Sequence, residues 1–282
     1  MKFVYLNGDW LRETEAGVSV FDRAFLYGDS LFETVRVYGG RPFQFAAHCK
    51  RLKAGADYLK IRMPCSARDI NAHSIELLSR NSVTEGLLRI QLSRGIGPRG
   101  FGIREAKLPT LLISTHPAPA LGRGKTWKLI TASNRLWADD PLAKFKTGNK
   151  LPQILARAEA ERTGADEALL LNSDGFVAEG ASTNLFAVFG RRLVTPPLSA
   201  GILPGVTRRV VMDLANGLAV RVAEENISAK RLRRAEAIFL TSTAMELIPV
   251  REWDSQCFPV ENAIFQKLID GFRKLVAEQT VG

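Results

Sequence analysis

Apolar and polar residues alternate in two short runs near the start of the chain, "KFVYLNG" (2–8) and "SLFETVRVYGGRPFQF" (30–45). A period of two predicts strands, and the Gly39-Gly40 pair inside the second run predicts a hairpin. From about His48 to Leu59, and again from Ala67 to Arg80, the apolar spacing lengthens to the three and four residues of helices. Strand patterns return in "GLLRIQLSRG" (86–95) and "PTLLISTHP" (109–117), separated by a loop of Gly, Pro and Arg. Pro117–Lys125, "PAPALGRGK", has the composition of a linker. Two domains are expected, 1–117 and 126–282, with 118–125 between them. Beyond the linker come a strand at 126–133, a helix from Leu151, hairpins at 167–180 and 183–197 turning at Ser-Asp-Gly and Gly-Arg, a helix from Val206, a strand at 235–243 and a terminal helix from about Val260. In the helix after "KTGN", Leu151, Ile154, Leu155 and Ala158 fall at i, i+3, i+4 and i+7, which predicts a buried face. Strands and helices mix without regular βαβ alternation, which predicts an α+β fold.

Composition narrows the class. Hydrophobic residues at 46 % and charged residues at 24 % suit a globular chain, and its 282 residues suit about two domains. No run approaches the ~18 apolar residues of a membrane span. The opening "MKFVYLNGDWLRETE" becomes charged too soon for an export signal, so a cytoplasmic setting is expected. Cys49, Cys65 and Cys257 are odd in number and scattered, which argues against a disulfide framework or a metal site. A net charge of +10 raises nucleic acid as a partner. Apart from Lys230–Arg234, "KRLRR", the basic residues are dispersed, and no aromatics interleave with that run. A basic protein that binds small anions, with no nucleic-acid or membrane partner, is the expectation.

Three stretches carry candidate chemistry. In "KFKTGNKLPQ" (144–153) a breaker separates Lys146 from a helix with Pro152 in its first turn. A lysine on backbone pinned in that way can be a positioned nucleophile; Lys144 and Lys150 read as solvated. In "GFVAEGASTN" Glu179 follows apolar residues on a half-buried strand, where a carboxylate needs a partner. Two partners fit: a structural salt bridge, or the protonated nitrogen of a pyridine cofactor. In "GILPGVTRRVVMDLA" glycines and a proline break the chain ahead of a helix beginning near Thr207, which reads as an ordinary N-cap or as a phosphate cup.

Taken together, "K-x-x-N-x-L", "GADEALLLNSDGFVAEGASTNLF", "TPPLSAGILPGVTR", "YGDSLFETVRVYGGRPF" and "HCKRL" resemble the class IV pyridoxal-phosphate aminotransferases, over nearly the full chain and in that family's order. The family includes branched-chain and D-amino-acid transaminases, (R)-amine transaminases and aminodeoxychorismate lyases. The resemblance implies a two-domain fold of type IV with pyridoxal 5'-phosphate in the interdomain cleft, commonly as a homodimer. It implies that Lys146 forms the Schiff base and shuttles the proton, and that Glu179 faces the pyridine nitrogen. Arg51, Val206, Thr207 and Thr243 would hold the phosphate, and Leu203 would pack on the ring. On the substrate side it implies Phe32, Arg36, Arg99, Thr243 and Ala244. Phe32 stands where D-amino-acid enzymes carry a tyrosine, and "RGF" (99–101) stands where they carry Arg-x-His. The turn "TSTAMEL" and Arg36 resemble the branched-chain enzymes, whereas "SRGIGPRGF" resembles the lyases. An amino-acid transaminase acting on an amino acid and a 2-oxo acid is the expected activity, with the lyase as the second reading and a basic anion- or nucleic-acid-binding protein as the alternative outside the family.

Overall fold

The computed structural model describes residues 2–120 and 124–280, so part of the expected linker, 121–123, lies outside the described residues. The chain divides into two compact units. One runs to Pro119 and takes in Phe145–Asn149 and the residues from Val276 on; the other comprises Ala120–Lys144 and Lys150–Leu275.

The first unit is built from β1 (Phe3–Leu6), β2 (Asp9–Arg12), α1 (Arg23–Tyr27), β3 (Ser30–Tyr38), β4 (Arg41–Pro42), α2 (Phe45–Leu59), α3 (Ala67–Arg80), β5 (Gly86–Ser93) and β6 (Thr110–His116). Its strands form an antiparallel sheet in the order β2-β1-β6-β5-β3-β4. Gly39 and Gly40, at φ 55° and 77°, make the tight turn between β3 and β4 that only glycine enters freely. A capping box starts α3: the Ser66 hydroxyl accepts from the Asp69 amide, and the Asp69 carboxylate accepts from the Ser66 amide. Strand alternation sorts the faces of this sheet. Leu88, Ile90 and Leu92 of β5 are buried in a core with Leu31, Val35, Leu52, Ala56 and Leu77. Leu87, Arg89 and Gln91 point the other way and are half-buried.

The segment Phe145–Asn149 was expected with the second domain, yet its hydrogen bonds tie it to β3. Phe32 N–H donates to the Lys146 carbonyl at 2.9 Å, and Gly148 N–H donates to the Ser30 carbonyl at 2.8 Å. Leu31 and Thr147 pair across an antiparallel bridge.

The second unit contains β7 (Trp127–Leu136), α4 (Leu151–Arg162), β8 (Glu167–Asn172), β9 (Val177–Gly180), β10 (Asn184–Phe189), β11 (Arg192–Thr195), a short 3-10 turn (Leu198–Ala200), α5 (Val206–Gly217), β12 (Arg221–Glu224), α6 (Ala229–Leu232), β13 (Ala237–Ser242), β14 (Glu246–Trp253), β15 (Gln256–Cys257) and most of α7 (Ala263–Thr280). Its strands form one mixed sheet in the order β12-β11-β10-β13-β14-β7-β8-β9, with β15 against β14. The pairs β11/β12, β14/β7 and β7/β8 are parallel, and the other pairs are antiparallel. Leu129, Leu169, Leu185, Leu240, Val250 and the fully buried Trp253 fill its core.

The predicted buried face of α4 is a correction. Ala156 and Ala160 face the sheet, against Ala132, Ala168 and Leu170, whereas Leu151, Ile154 and Leu155 are 70, 58 and 58 % exposed. Small alanines let the helix backbone lie close on the sheet, so the large apolar residues turn outward. The mixture of an antiparallel sheet and a mixed sheet, each with helices, is α+β.

The docking of the lysine segment on β3 depends on a missing side chain. A Cβ at Gly148 would lie 2.3 Å from Ser30 Oγ and 3.1 Å from the Gly28 carbonyl. Gly148→Ala is therefore expected to destabilise the protein by roughly 1–3 kcal/mol. Gly217→Ala, near the end of α5 with open space around it, should stabilise by up to about 1 kcal/mol. Urea unfolding midpoints moving in opposite directions would bear this out; equal shifts would not.

Candidate active site

Lys146 is half-buried beside β3, with its Nζ 4.7 Å from the centroid of the Phe32 ring. A second cation shares that ring, because Arg89 of β5 lies with its Cζ 4.0 Å from the same centroid. Phe32 pairs with Gln91 and Thr34 with Arg89 across the strands, so these side chains share one face. Arg89 donates from Nε and Nη2 to Gln91 Oε1 at 3.2 and 3.0 Å and meets no carboxylate among the described residues. Burial pulls its pKa below the ordinary value. A half-buried guanidinium paired only with an amide is suited to an anion from outside the chain. Sequence reasoning missed Arg89, although a lone charge in the apolar run "GLLRIQLS" carries the same signal that singled out Glu179.

Of the neighbouring lysines, Lys144 is exposed and Lys150 is half-buried. Arg36, four residues along β3 from Phe32, is buried; it donates to the Pro119 carbonyl at 3.4 Å and pairs with Glu85 at 3.7 Å. Arg99 is exposed, on a loop whose Gly100 donates to the Tyr27 hydroxyl and accepts from Arg23.

Arg51 of α2 faces the other side of β3. Its Nε and Nη2 donate to Glu33 Oε1 and Oε2 at 2.8 and 2.7 Å. His48 Nδ1 lies 2.7 Å from Glu33 Oε2, and against an ionised carboxylate that nitrogen is the donor. Burial alone would raise the Glu33 carboxyl, but hydrogen bonds from Arg51 and His48 and the Arg51 charge outweigh it and hold the pKa at about 2. Burial of the His48 ring outweighs the pull of Glu33 and keeps the imidazole below its usual value. Neither Glu33 nor His48 stood out in the sequence, because nothing in a strand pattern says that its one carboxylate is fully enclosed.

In the second unit Glu179, at the end of β9, is 9 % exposed. Its Oε2 accepts from Asn184 Nδ2 at 3.1 Å and from the Leu203 amide at 3.0 Å. Asn184 also donates to the Leu203 carbonyl at 2.9 Å, and a Cβ at Gly205 would lie 2.0 Å from Asn184 Oδ1. One asparagine thus joins the carboxylate to the loop that leads into α5. That helix begins at Val206 after Gly205, which offers no side-chain cap, and Thr207 in its first turn is buried. Its first amides are the donors that any helix start leaves without an intrahelical partner. Asn184 pairs with Thr241 on β13, and two residues on stand Thr243 and then Ala244, in the half-buried turn before β14. The buried Thr241 Oγ1 has no hydrogen-bond partner among the described residues. The structure thus brings Lys146 to Phe32, and Glu179 to Leu203 in the loop that leads into Val206 and Thr207.

The shifts of Glu33 and His48 act in one direction. The unfolded chain takes up protons at His48 and Glu33 more readily than the folded chain, so the native state loses stability as pH falls. His48 contributes below its unfolded value near 6.5, and Glu33 between 4.5 and its folded value of about 2. The Glu33 part is about 3 kcal/mol at most. Unfolding free energies measured from pH 7 to pH 3 should fall steadily, and a flat profile would contradict the buried ionised pair.

Known proteins resemble this chain in sequence and fold. The family model described as amino-transferase class IV matches residues 30–253. A Methanocaldococcus jannaschii protein provisionally named branched-chain-amino-acid aminotransferase is 37 % identical over 254 residues, which is 90 % of this chain and 88 % of that one. An aminodeoxychorismate lyase of Bacillus subtilis is 32 % identical over 250 residues, covering 87 and 85 %. The structure of a branched-chain amino acid aminotransferase from T.th. with pyridoxamine 5'-phosphate superposes with a TM-score of 0.87 at 28 % identity, over 97 % of this chain and 94 % of that one. Since the family match takes in Phe32, Arg51, Lys146, Glu179 and Thr207 in a single span, the protein belongs to the class IV aminotransferases.

Proposed function

We propose that the protein uses pyridoxal 5'-phosphate to move an amino group between an amino acid and a 2-oxo acid, with Lys146 as the residue that carries the cofactor. The observation behind this is the lysine itself: a primary amine on a stem whose backbone is bonded to β3 at Phe32 and Ser30. Ordering the backbone in advance removes much of the entropy cost of presenting that amine in one geometry.

The residues present fit the cofactor. Glu179, whose Oε2 accepts from Asn184 and the Leu203 amide, offers a positioned carboxylate suited to a protonated pyridine nitrogen. Arg51, the first amides of α5 at Val206 and Thr207, and the hydroxyls of Thr207 and Thr243 would hold the phosphate, and Leu203 would pack on the ring. When bound, the cofactor supplies an aldehyde that joins amines and a ring that withdraws electron density from the substrate carbon. Lys146 Nζ then serves as the base that moves the proton of that carbon. By the family resemblance Phe32, Arg36, Arg99, Thr243 and Ala244 would serve the substrate, and Arg89 adds a cation beside Phe32.

A homodimer is part of this reading. In the first unit Phe21, Phe25, Phe101 and Leu108 are 64, 75, 84 and 78 % exposed, an apolar surface suited to a second copy. A cytoplasmic setting is supported by three unpaired cysteines, and no helix among the described residues is long and apolar enough to cross a membrane. Part of the basic run is tied into the protein, with Arg231 on Glu225 and Arg233 over Trp253, which supports small anions over nucleic acid as partners. The loop "RGIGPRGF" (94–101) supports the lyase, releasing pyruvate and 4-aminobenzoate from aminodeoxychorismate, as the second reading.

Borohydride reduction of the holoenzyme should fix the cofactor on the peptide containing Lys146, and Lys146→Ala should retain none; label on Lys144 or Lys150 would overturn the assignment. For the substrate carboxylate, Arg89→Leu should raise KM for a dicarboxylic 2-oxo acid roughly tenfold or more, the worth of one charged hydrogen bond. If Arg99→Ala has that effect and Arg89→Leu does not, the exposed loop rather than the sheet face reads the carboxylate.

A further inference from the structure

We propose that Glu33 is a positioning residue for phosphate recognition: together with His48 it fixes the guanidinium of Arg51 in one orientation. The inference rests on the reading of Arg51 as a phosphate-binding group and identifies what makes that group ready to bind. Glu33 is 1 % exposed on the helix-covered face of β3, and both of its oxygens are engaged. Oε1 takes Arg51 Nε, while Oε2 takes Arg51 Nη2 and His48 Nδ1. An arginine gripped along its Nε–Nη2 edge cannot turn about its last torsions, and its Nη1 lies on the side away from the carboxylate. His48 and Arg51 are three residues apart on α2, so they share a helix face and close on Glu33 from one side.

Charge alone makes this carboxylate unfavourable, because an anion near a phosphate site repels the ligand. Its contribution must therefore be orientation. With the arginine already held in one rotamer, the side-chain entropy that binding would otherwise cost has been lost during folding. The buried histidine supplies the second donor that Oε2 needs and adds little positive charge, since its enclosure disfavours the imidazolium.

The test is a titration of the cofactor-free full-length chain with pyridoxal phosphate and, separately, with pyridoxal, which lacks the phosphate. Glu33→Gln should weaken pyridoxal phosphate binding about tenfold and leave pyridoxal within about twofold. Arg51→Ala should give the same selective loss, and the double variant should lose no more than Arg51→Ala alone. Glu33→Asp keeps the charge but is one methylene too short to grip both nitrogens; it should show the selective loss as well, and it serves if the glutamine variant does not fold. Equal weakening of both ligands by the Glu33 variants, unchanged affinity, or tighter pyridoxal phosphate binding as charge alone requires, would overturn the positioning role while leaving Arg51 in place. If Arg51→Ala leaves pyridoxal phosphate affinity unchanged, the reading of Arg51 itself fails and takes the inference with it.

Discussion

Two backbone hydrogen bonds, from Phe32 N–H to the Lys146 carbonyl and from Gly148 N–H to the Ser30 carbonyl, are the constraint on which the candidate site depends. A lysine has four side-chain torsions, and on a mobile loop its ammonium would sample a wide volume of solvent. Here the backbone beneath it is paired with a strand whose Phe32 ring lies against the ammonium. Gly148 is what allows the approach, since any side chain there would meet Ser30. A stretch of five residues that sequence alone places after the linker is therefore structurally part of the first unit's sheet.

Buried carboxylates set the orientation of nearly everything else. Glu33 is matched by Arg51 and His48, and Asp29 by Arg23 and Arg94, with Arg94 also donating to the carbonyls of Leu59 and Lys60 at the end of α2. In the second unit Glu167, with no exposure, accepts from the amide and hydroxyl of Ser182 and so shapes the turn between Glu179 and Asn184. Glu33 and Glu167 are enclosed and Asp29 is half-buried, and each is supplied with donors, which is the condition for keeping a carboxylate there.

Local chemistry was legible in the sequence. The Gly-Gly hairpin, the start of α3 at Ala67 and the glycine break before α5 all stand where their residues say they should, because a turn or helix start is decided within a few positions. What depends on a distant partner was not legible. The helical spacing of Leu151, Ile154 and Leu155 is correct for a helix, but which face packs was decided by Ala132 and Ala168 on other strands. β12 and β14 were missed because "RVAE" is too short to show a period and "ELIPVREW" follows the preceding strand across a turn of three residues. Lys146 and Glu179 were found from the company they keep in sequence; Arg89, Glu33 and Asn184 owe their importance to neighbours on adjacent strands and helices, and a single strand pattern does not name those neighbours.

If this chain exchanges amino groups, one half-reaction shows it directly. Holoenzyme is mixed with single D- or L-amino acids without any acceptor, and the 2-oxo acid formed is counted. The expected result is one equivalent of 2-oxo acid per Lys146 from at least one amino acid, with the cofactor restored by adding a 2-oxo acid. Pyruvate released catalytically from aminodeoxychorismate, with no 2-oxo acid from any amino acid tested, would contradict amino-group exchange.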